Sequence, residues 1–189
     1  MSAHGASWLE RPEREREEKP ELVIAAMHLE DGDVVAEVGA GSGYMARRAA
    51  RAVAPRGVVY ANDIQPEMID LIRSNDERER ISNIVPILGN ETDPRLPAGA
   101  ADWILLVDVY HEFQQPAAML ARMREALKPS GHVMLVEYRG EGSTAEQIRP
   151  EHRMTREQVL REWIPAGYRL ESVSEALPSQ RMFIFARAN

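Results

Sequence analysis

The stretch Glu37-Val38-Gly39-Ala40-Gly41-Ser42-Gly43 constrains this chain more than any other. It closes the short apolar run Val34 to Val38 and precedes Tyr44 to Val53, a segment rich in Ala and Arg that reads as a helix. Alternate glycines between a strand and a helix allow a tight turn and let a ligand approach the backbone closely. The N–H groups exposed at the helix start favour a polar, partly anionic ligand. Pro55 to Gly57 breaks the helix, and Val58 to Asp63 reads as a second strand.

Strands and helices keep alternating beyond this unit. Pro66 opens a helix, Glu67 to Ser74, followed by the charged run Asp76 to Arg80. Ile84 to Leu88 is a third strand, and Asp102 to Asp108 a fourth and the most apolar. Pro116 starts a helix to about Leu127, and Pro129-Ser130-Gly131 turns into a fifth strand, His132 to Tyr138. Such alternation implies crossover connections and a parallel sheet covered on both faces. The tail differs. After a helix from Thr155 to about Trp163, the strand-like runs Tyr168 to Ser174 and Met182 to Ala186 are separated only by a turn around Pro178-Ser179. That spacing is too short for a crossover helix and predicts an antiparallel hairpin.

The 189 residues fit one domain. It divides into an N-terminal helical segment (10–30), a ligand-binding core (31–138) and a C-terminal loop, helix and hairpin (139–189). In the first of these, nine of the ten residues from Glu10 to Lys19 are charged, five acidic and four basic. Mixed signs at spacings such as Glu10/Arg14 and Glu15/Lys19 predict a solvated helix supported by i,i+4 pairs, with no binding role. Pro20 reads as the first position of a new helix that buries Leu22, Val23, Ala26 and Met27.

The net charge of −7 argues against a protein that grips nucleic acid through its bulk field. There is no cysteine, which removes disulfides, thiolate zinc sites and cysteine nucleophiles together. Met1 to Leu9 lacks the basic and apolar regions of a signal peptide. Trp103 to Val107 is too short to span a bilayer. The expectation is a cytoplasmic protein with no membrane partner; oligomeric state is not legible.

Twenty residues after Gly43 the second strand ends in Asp63, an acid placed to accept both hydroxyls of a ribose. Dinucleotides and S-adenosylmethionine share this logic. A dinucleotide fingerprint wants a third glycine at position 44, where this chain has Tyr44. The terminal hairpin also departs from the usual dinucleotide fold. Both points favour S-adenosylmethionine as cofactor.

The chain resembles the class I S-adenosylmethionine-dependent methyltransferases, of the small-molecule type with the common methyltransferase domain. Val35 to Gly43 matches that family's first motif and Tyr60-Ala61-Asn62-Asp63-Ile64 its second. Asp102 to Phe113 resembles the fourth-strand motif, and Leu127-Lys128-Pro129-Ser130-Gly131-His132 the turn before strand five, with Ser130 replacing a glycine. The resemblance implies a Rossmann-like, seven-stranded, mostly parallel sheet with helices on both faces and a C-terminal antiparallel hairpin. It also implies that the backbone of Gly39, Ala40, Gly41 and Gly43 cradles the methionine part of the cofactor, with Glu37 facing its ammonium. Asp63 would hold the ribose and Ile64 would pack on adenine. One of Asn90, Glu91 and Asp93 would contact the adenine amino group, and Asp108 would sit beside the amino-acid end.

Tyr110-His111-Glu112-Phe113 follows the fourth strand, at the carboxyl edge where open α/β sheets bind ligands. His111 is a candidate general base or acceptor contact, with Tyr110 beside it. The polar loop Arg139 to Met154 offers Tyr138, Arg139, His152 and Arg153 as walls of an acceptor pocket. The five histidines are scattered and contain no His-x-x-x-His pair, so no metal site is expected. The reaction expected is in-line methyl transfer to a small-molecule acceptor. A protein- or RNA-directed enzyme and a non-catalytic cofactor-binding module are the alternatives.

Overall fold

The computed structural model describes residues 5–143 and 145–188. Met1 to His4, part of the stretch read for a signal peptide, lies outside the described residues. Among them, eight strands form one sheet: β1 (Val34–Val38), β2 (Val58–Asp63), β3 (Ile84–Leu88), β4 (Ala101–Val107), β5 (Leu127–Arg139), β6 (Arg153–Met154), β7 (Tyr168–Ser174) and β8 (Gln180–Arg187). Seven run in the order β3-β2-β1-β4-β5-β8-β7, and the two-residue β6 pairs with β5 off that path. β1 to β5 pair in parallel, while β8 runs antiparallel to both β5 and β7. This is the expected α/β architecture with its terminal hairpin.

Among the described residues, seven α-helices accompany the sheet: α1 (Ala6–Leu9), α2 (Arg14–Glu18), α3 (Pro20–Ala26), α4 (Tyr44–Ala52), α5 (Pro66–Glu79), α6 (Pro116–Ala126) and α7 (Arg156–Trp163). Pro20, Pro66 and Pro116 each open a helix, where a missing N–H costs nothing. The alternation of strand side chains builds two cores. Val35, Leu105, Met134 and Val136 face α3, α4 and α5, while Ala36, Ile104, Leu106, Val133 and Leu135 face α6 and α7. Trp163 is fully buried in the second core and stacks on Phe185 at 4.7 Å.

Four expectations need correction. α5 continues through the charged run to Glu79, because Ile69, Ile72, Asn75 and Asp76 keep one face buried. Pro129-Ser130-Gly131 is no separate turn. β5 starts at Leu127, and its pairing with β4 absorbs the extra residues as a register shift between Ala101 and Trp103.

The N-terminal charges form only the short helix α2, exposed at Glu15, Arg16 and Glu17 but docked on α4 rather than solvated throughout. Glu10 takes Arg47 at 2.8 Å, Glu15 takes the Tyr44 hydroxyl at 2.7 Å and also Arg48, and Glu21 takes Arg48 at 3.0 Å. These contacts dock α2 and α3 onto α4, leaving Arg14 and Glu18 buried. Leu22 remains 41% exposed, whereas Val23 and Met27 are buried as expected. No helix among the described residues is long and apolar enough to cross a membrane.

Candidate active site

A cavity of about 930 Å³ opens at the carboxyl ends of β1, β2 and β4, where the change of crossover direction leaves a crevice in such sheets. Gly39 and Gly41 form its floor, at φ +74° and +54°. Both positions need glycine. A Cβ on Gly39 would lie 2.3 Å from Val109 Cγ2, and one on Gly41 would lie 2.8 Å from Leu9 Cδ1.

Asp63 stands at the end of β2 on the cavity wall. Its Oδ2 accepts the Gly41 N–H at 2.9 Å and its Oδ1 accepts the Gln65 N–H at 3.0 Å. Burial raises its pKa against these hydrogen bonds, and each oxygen keeps a further acceptor direction. Ile64 lines the same wall, half exposed. Asn90 and Glu91 also line it, but Asp93 does not. The Asn90 side-chain oxygen is occupied by the Thr92 and Asp93 N–H groups, at 2.9 and 2.8 Å.

Asp108 lies past the end of β4 in the left-handed region, at φ +51°. Gln180 donates to its Oδ2 at 2.6 Å, and its Oδ1 is buried with no partner among the described residues. Burial, reinforced by the charge of Glu137, pushes its pKa well up. An incoming cationic group would relieve both conditions.

Several expected residues lie off the cavity. Ala40 uses its N–H on the Asn62 carbonyl at 2.8 Å, and Gly43 caps α4 against Ile72 and Arg47. Glu37 is buried beneath the floor, and burial raises its pKa to about 8 against the charges of Arg14 and Arg47. Arg14 lines the cavity, bound to Glu18 at 2.6 Å and acting electrostatically on Glu37 and Asp108. Trp8 and Leu9 line the cavity with it. Docking onto α4 decides this placement, which local sequence signals do not encode.

At the other end, a 3-10 turn after β4 (Tyr110–Glu112) divides its side chains. Tyr110 turns into the core, 2% exposed, packed on Trp163 and donating to Glu162 at 2.6 Å. His111 faces the cavity. Its Nδ1 meets Glu137 Oε2 at 2.7 Å, and its Nε2 lies 3.2 Å from His152 Nδ1. Burial alone would lower its pKa, but the Glu137 hydrogen bond and charge outweigh it and hold the pKa above its ordinary value. Tyr138 and His152 line this end together with Phe113, Ile148 and Arg149, whereas Arg139 and Arg153 do not. Arg139 turns to the Pro178 carbonyl and Arg153 to that of Ala145.

The family model described as a methyltransferase domain matches residues 35–131, from the first strand through the glycine floor to the start of β5. The chain belongs to the methyltransferase-domain family. It is thus a class I S-adenosylmethionine-dependent methyltransferase domain, the cofactor class that the first two motifs indicated. Protein-L-isoaspartate O-methyltransferase of Methanothrix thermoacetophila is 32% identical over 114 residues, covering 60% of this chain and 51% of that protein. A fibrillarin-like rRNA/tRNA 2'-O-methyltransferase of Pyrobaculum neutrophilum is 32% identical over 117 residues, covering 60% and 48%. The chain spans about half the length of the curated relatives it matches. A SAM dependent methyltransferase from Aquifex aeolicus superposes with a TM-score of 0.91 at 23% identity, covering 98% of each chain. That last likeness establishes the fold.

The residues present fit the cofactor. The floor has no room for side chains, Asp63 offers two acceptor directions, and Asp108 presents an orphaned carboxylate oxygen.

Proposed function

We propose that the protein transfers a methyl group from S-adenosylmethionine to a small-molecule acceptor held between Phe113, Tyr138 and the Ile148–His152 segment. The observation that carries this reading is the shape of the cavity. One continuous space runs from Gly39 and Asp63 to His111, lined also by Trp8, Leu9, Ile148 and Arg149. Its volume of about 930 Å³ lies in the range of small-ligand sites.

S-adenosylmethionine, when bound, supplies a methyl group on a positively charged sulfur. The chain's own residues position and desolvate. Asp63 takes the ribose hydroxyls, Asn90 and Glu91 meet the adenine edge, Ile64 covers its face, and Asp108 with its buried charge faces the ammonium. Glu37 lies buried off the cavity, its carboxyl held neutral at neutral pH by burial. Holding an acceptor in line with the methyl supplies much of the rate, since proximity alone is worth about 7–11 kcal/mol in favourable cases. His111 is the residue we assign to the acceptor, at the end of the cavity away from Asp63. Tyr110 acts on the reaction only through the position it gives that turn.

The relatives that modify proteins and RNA define the competing reading. Incubation with S-adenosylmethionine and a panel of small hydroxyl, amine and thiol metabolites, alongside bulk RNA and an isoaspartyl peptide, tests it. Formation of S-adenosylhomocysteine with a small acceptor is expected. Turnover restricted to the RNA or the peptide would overturn the small-molecule assignment.

A further inference from the structure

We propose that His111 Nε2, His152 Nδ1 and the Glu112 carboxylate bind a divalent cation of the zinc class at the acceptor end of the cavity, leaving an open coordination position for the acceptor. The inference rests on the methyl-transfer reading above and names the substrate class for it: small acceptors that ligate through an O–H or S–H group.

The three donors come from two separate loops and lie within 4.8 Å of one another. His111 and Glu112 sit on the turn after β4, and His152 ends the turn before β6, whose pairing with Tyr138 and Arg139 pins it beside them. Two nitrogens bound to one zinc ion at about 2.0–2.1 Å and tetrahedral angles stand about 3.3 Å apart. The His111–His152 nitrogen pair stands at 3.2 Å. The Glu112 oxygen lies 4.0 Å from His111 Nε2, and its side chain is 37% exposed.

The surroundings prepare His111 as a ligand. Its Nδ1 is held at 2.7 Å by Glu137, whose side chain is 1% exposed, so the proton stays on Nδ1 and the Nε2 lone pair points at the cluster. Glu137 Oε1 is fixed in turn by the Tyr110 N–H at 2.8 Å. A buried carboxylate behind the far nitrogen is the usual partner of a metal-binding histidine, setting its tautomer and orientation. Two histidines and one carboxylate with an open fourth position are also the donor set of catalytic zinc sites.

A shared proton between the two imidazoles is the competing explanation of the 3.2 Å separation. The zinc titration separates it from a metal site. With the cation in place, an acceptor O–H or S–H that ligates it becomes more acidic, and its proton leaves to solvent through the cavity mouth. The lone pair left on oxygen or sulfur forms the new bond to the methyl carbon. The carbon–sulfur bond of the sulfonium breaks, and its electron pair returns to sulfur, giving a neutral thioether. No oxidant or reductant is needed.

The test uses tag-free protein, treated with a chelator and titrated with zinc chloride in a calorimeter. One saturable equivalent is expected, weakened at least about tenfold in His152→Ala and in Glu112→Gln, and about 10–100-fold in Glu137→Gln, the range for losing a carboxylate behind a ligand. Titration with S-adenosylhomocysteine in parallel separates the two levels of the argument. Normal binding of that nucleoside with no saturable zinc site, or with zinc binding unchanged in both His152→Ala and Glu112→Gln, overturns the metal site and leaves the methyl-transfer reading standing. Loss of nucleoside binding in the wild-type protein would overturn that reading itself.

Discussion

Replacing Asp63 separates what this carboxylate does for the fold from what it does for the cofactor. It already accepts the Gly41 and Gln65 N–H groups, at 2.9 and 3.0 Å. Asp63→Ala leaves both donors unpaired in a partly buried turn, which costs about 1–3 kcal/mol each in folding stability. Asp63→Asn keeps one acceptor oxygen and should lose less than half of that. Both variants lose the charge-assisted bonds to the ribose, each worth about 1.5–3 kcal/mol. Two such bonds correspond to about 10²–10⁴-fold in Kd for Asp63→Ala, and at least about tenfold for Asp63→Asn, which retains a neutral contact. Thermal unfolding and calorimetric titration with S-adenosylhomocysteine read the two effects independently. A folded Asp63→Asn protein with wild-type affinity would refute the assignment of the ribose to this residue.

Other expectations follow from burial. Glu37 is protonated up to about pH 8 in the fold, against an ordinary value of 4.5. The native state therefore holds a proton that the unfolded chain releases, so stability should fall as pH rises from about 4.5 to 8. Glu37→Gln should flatten that slope in urea midpoints measured at pH 5 and 8, and an unchanged slope would show that another group dominates. Tyr110→Phe removes the bond to Glu162. About 1 kcal/mol of stability should go, with turnover preserved; a large fall in turnover in a stable variant would return Tyr110 to the reacting groups. Trp163→Ala should cost about 3–5 kcal/mol in chemical denaturation. Trp163→Phe should cost much less, since the indole N–H has no partner among the described residues.

The fold was largely legible because its signals are local. Proline at the first position of three helices, apolar runs of strand length and glycines at the first turn each act within a few residues. Gly39, Gly41 and Asp63 were legible for the same reason, as a turn and a strand end set their places directly. What depended on distant packing was not. Arg14 and Glu18 look like solvent-facing charges until α2 docks on α4 and brings them over the cavity. His111 and His152 look scattered because 41 residues separate them, and only the β5–β6 pairing returns the second to the first. Tyr110 and His111 differ in fate because a 3-10 turn sends adjacent side chains in different directions, which composition does not encode. Asp93, a plausible adenine contact in sequence, is diverted by its bridge with Asn90.

The most direct measurement is calorimetric titration of the purified protein with S-adenosylhomocysteine, S-adenosylmethionine and NAD under one set of conditions. One equivalent of each adenosyl ligand should bind and NAD should not, because Tyr44 stands where a dinucleotide site needs glycine. Binding of NAD more tightly than S-adenosylhomocysteine would contradict the account.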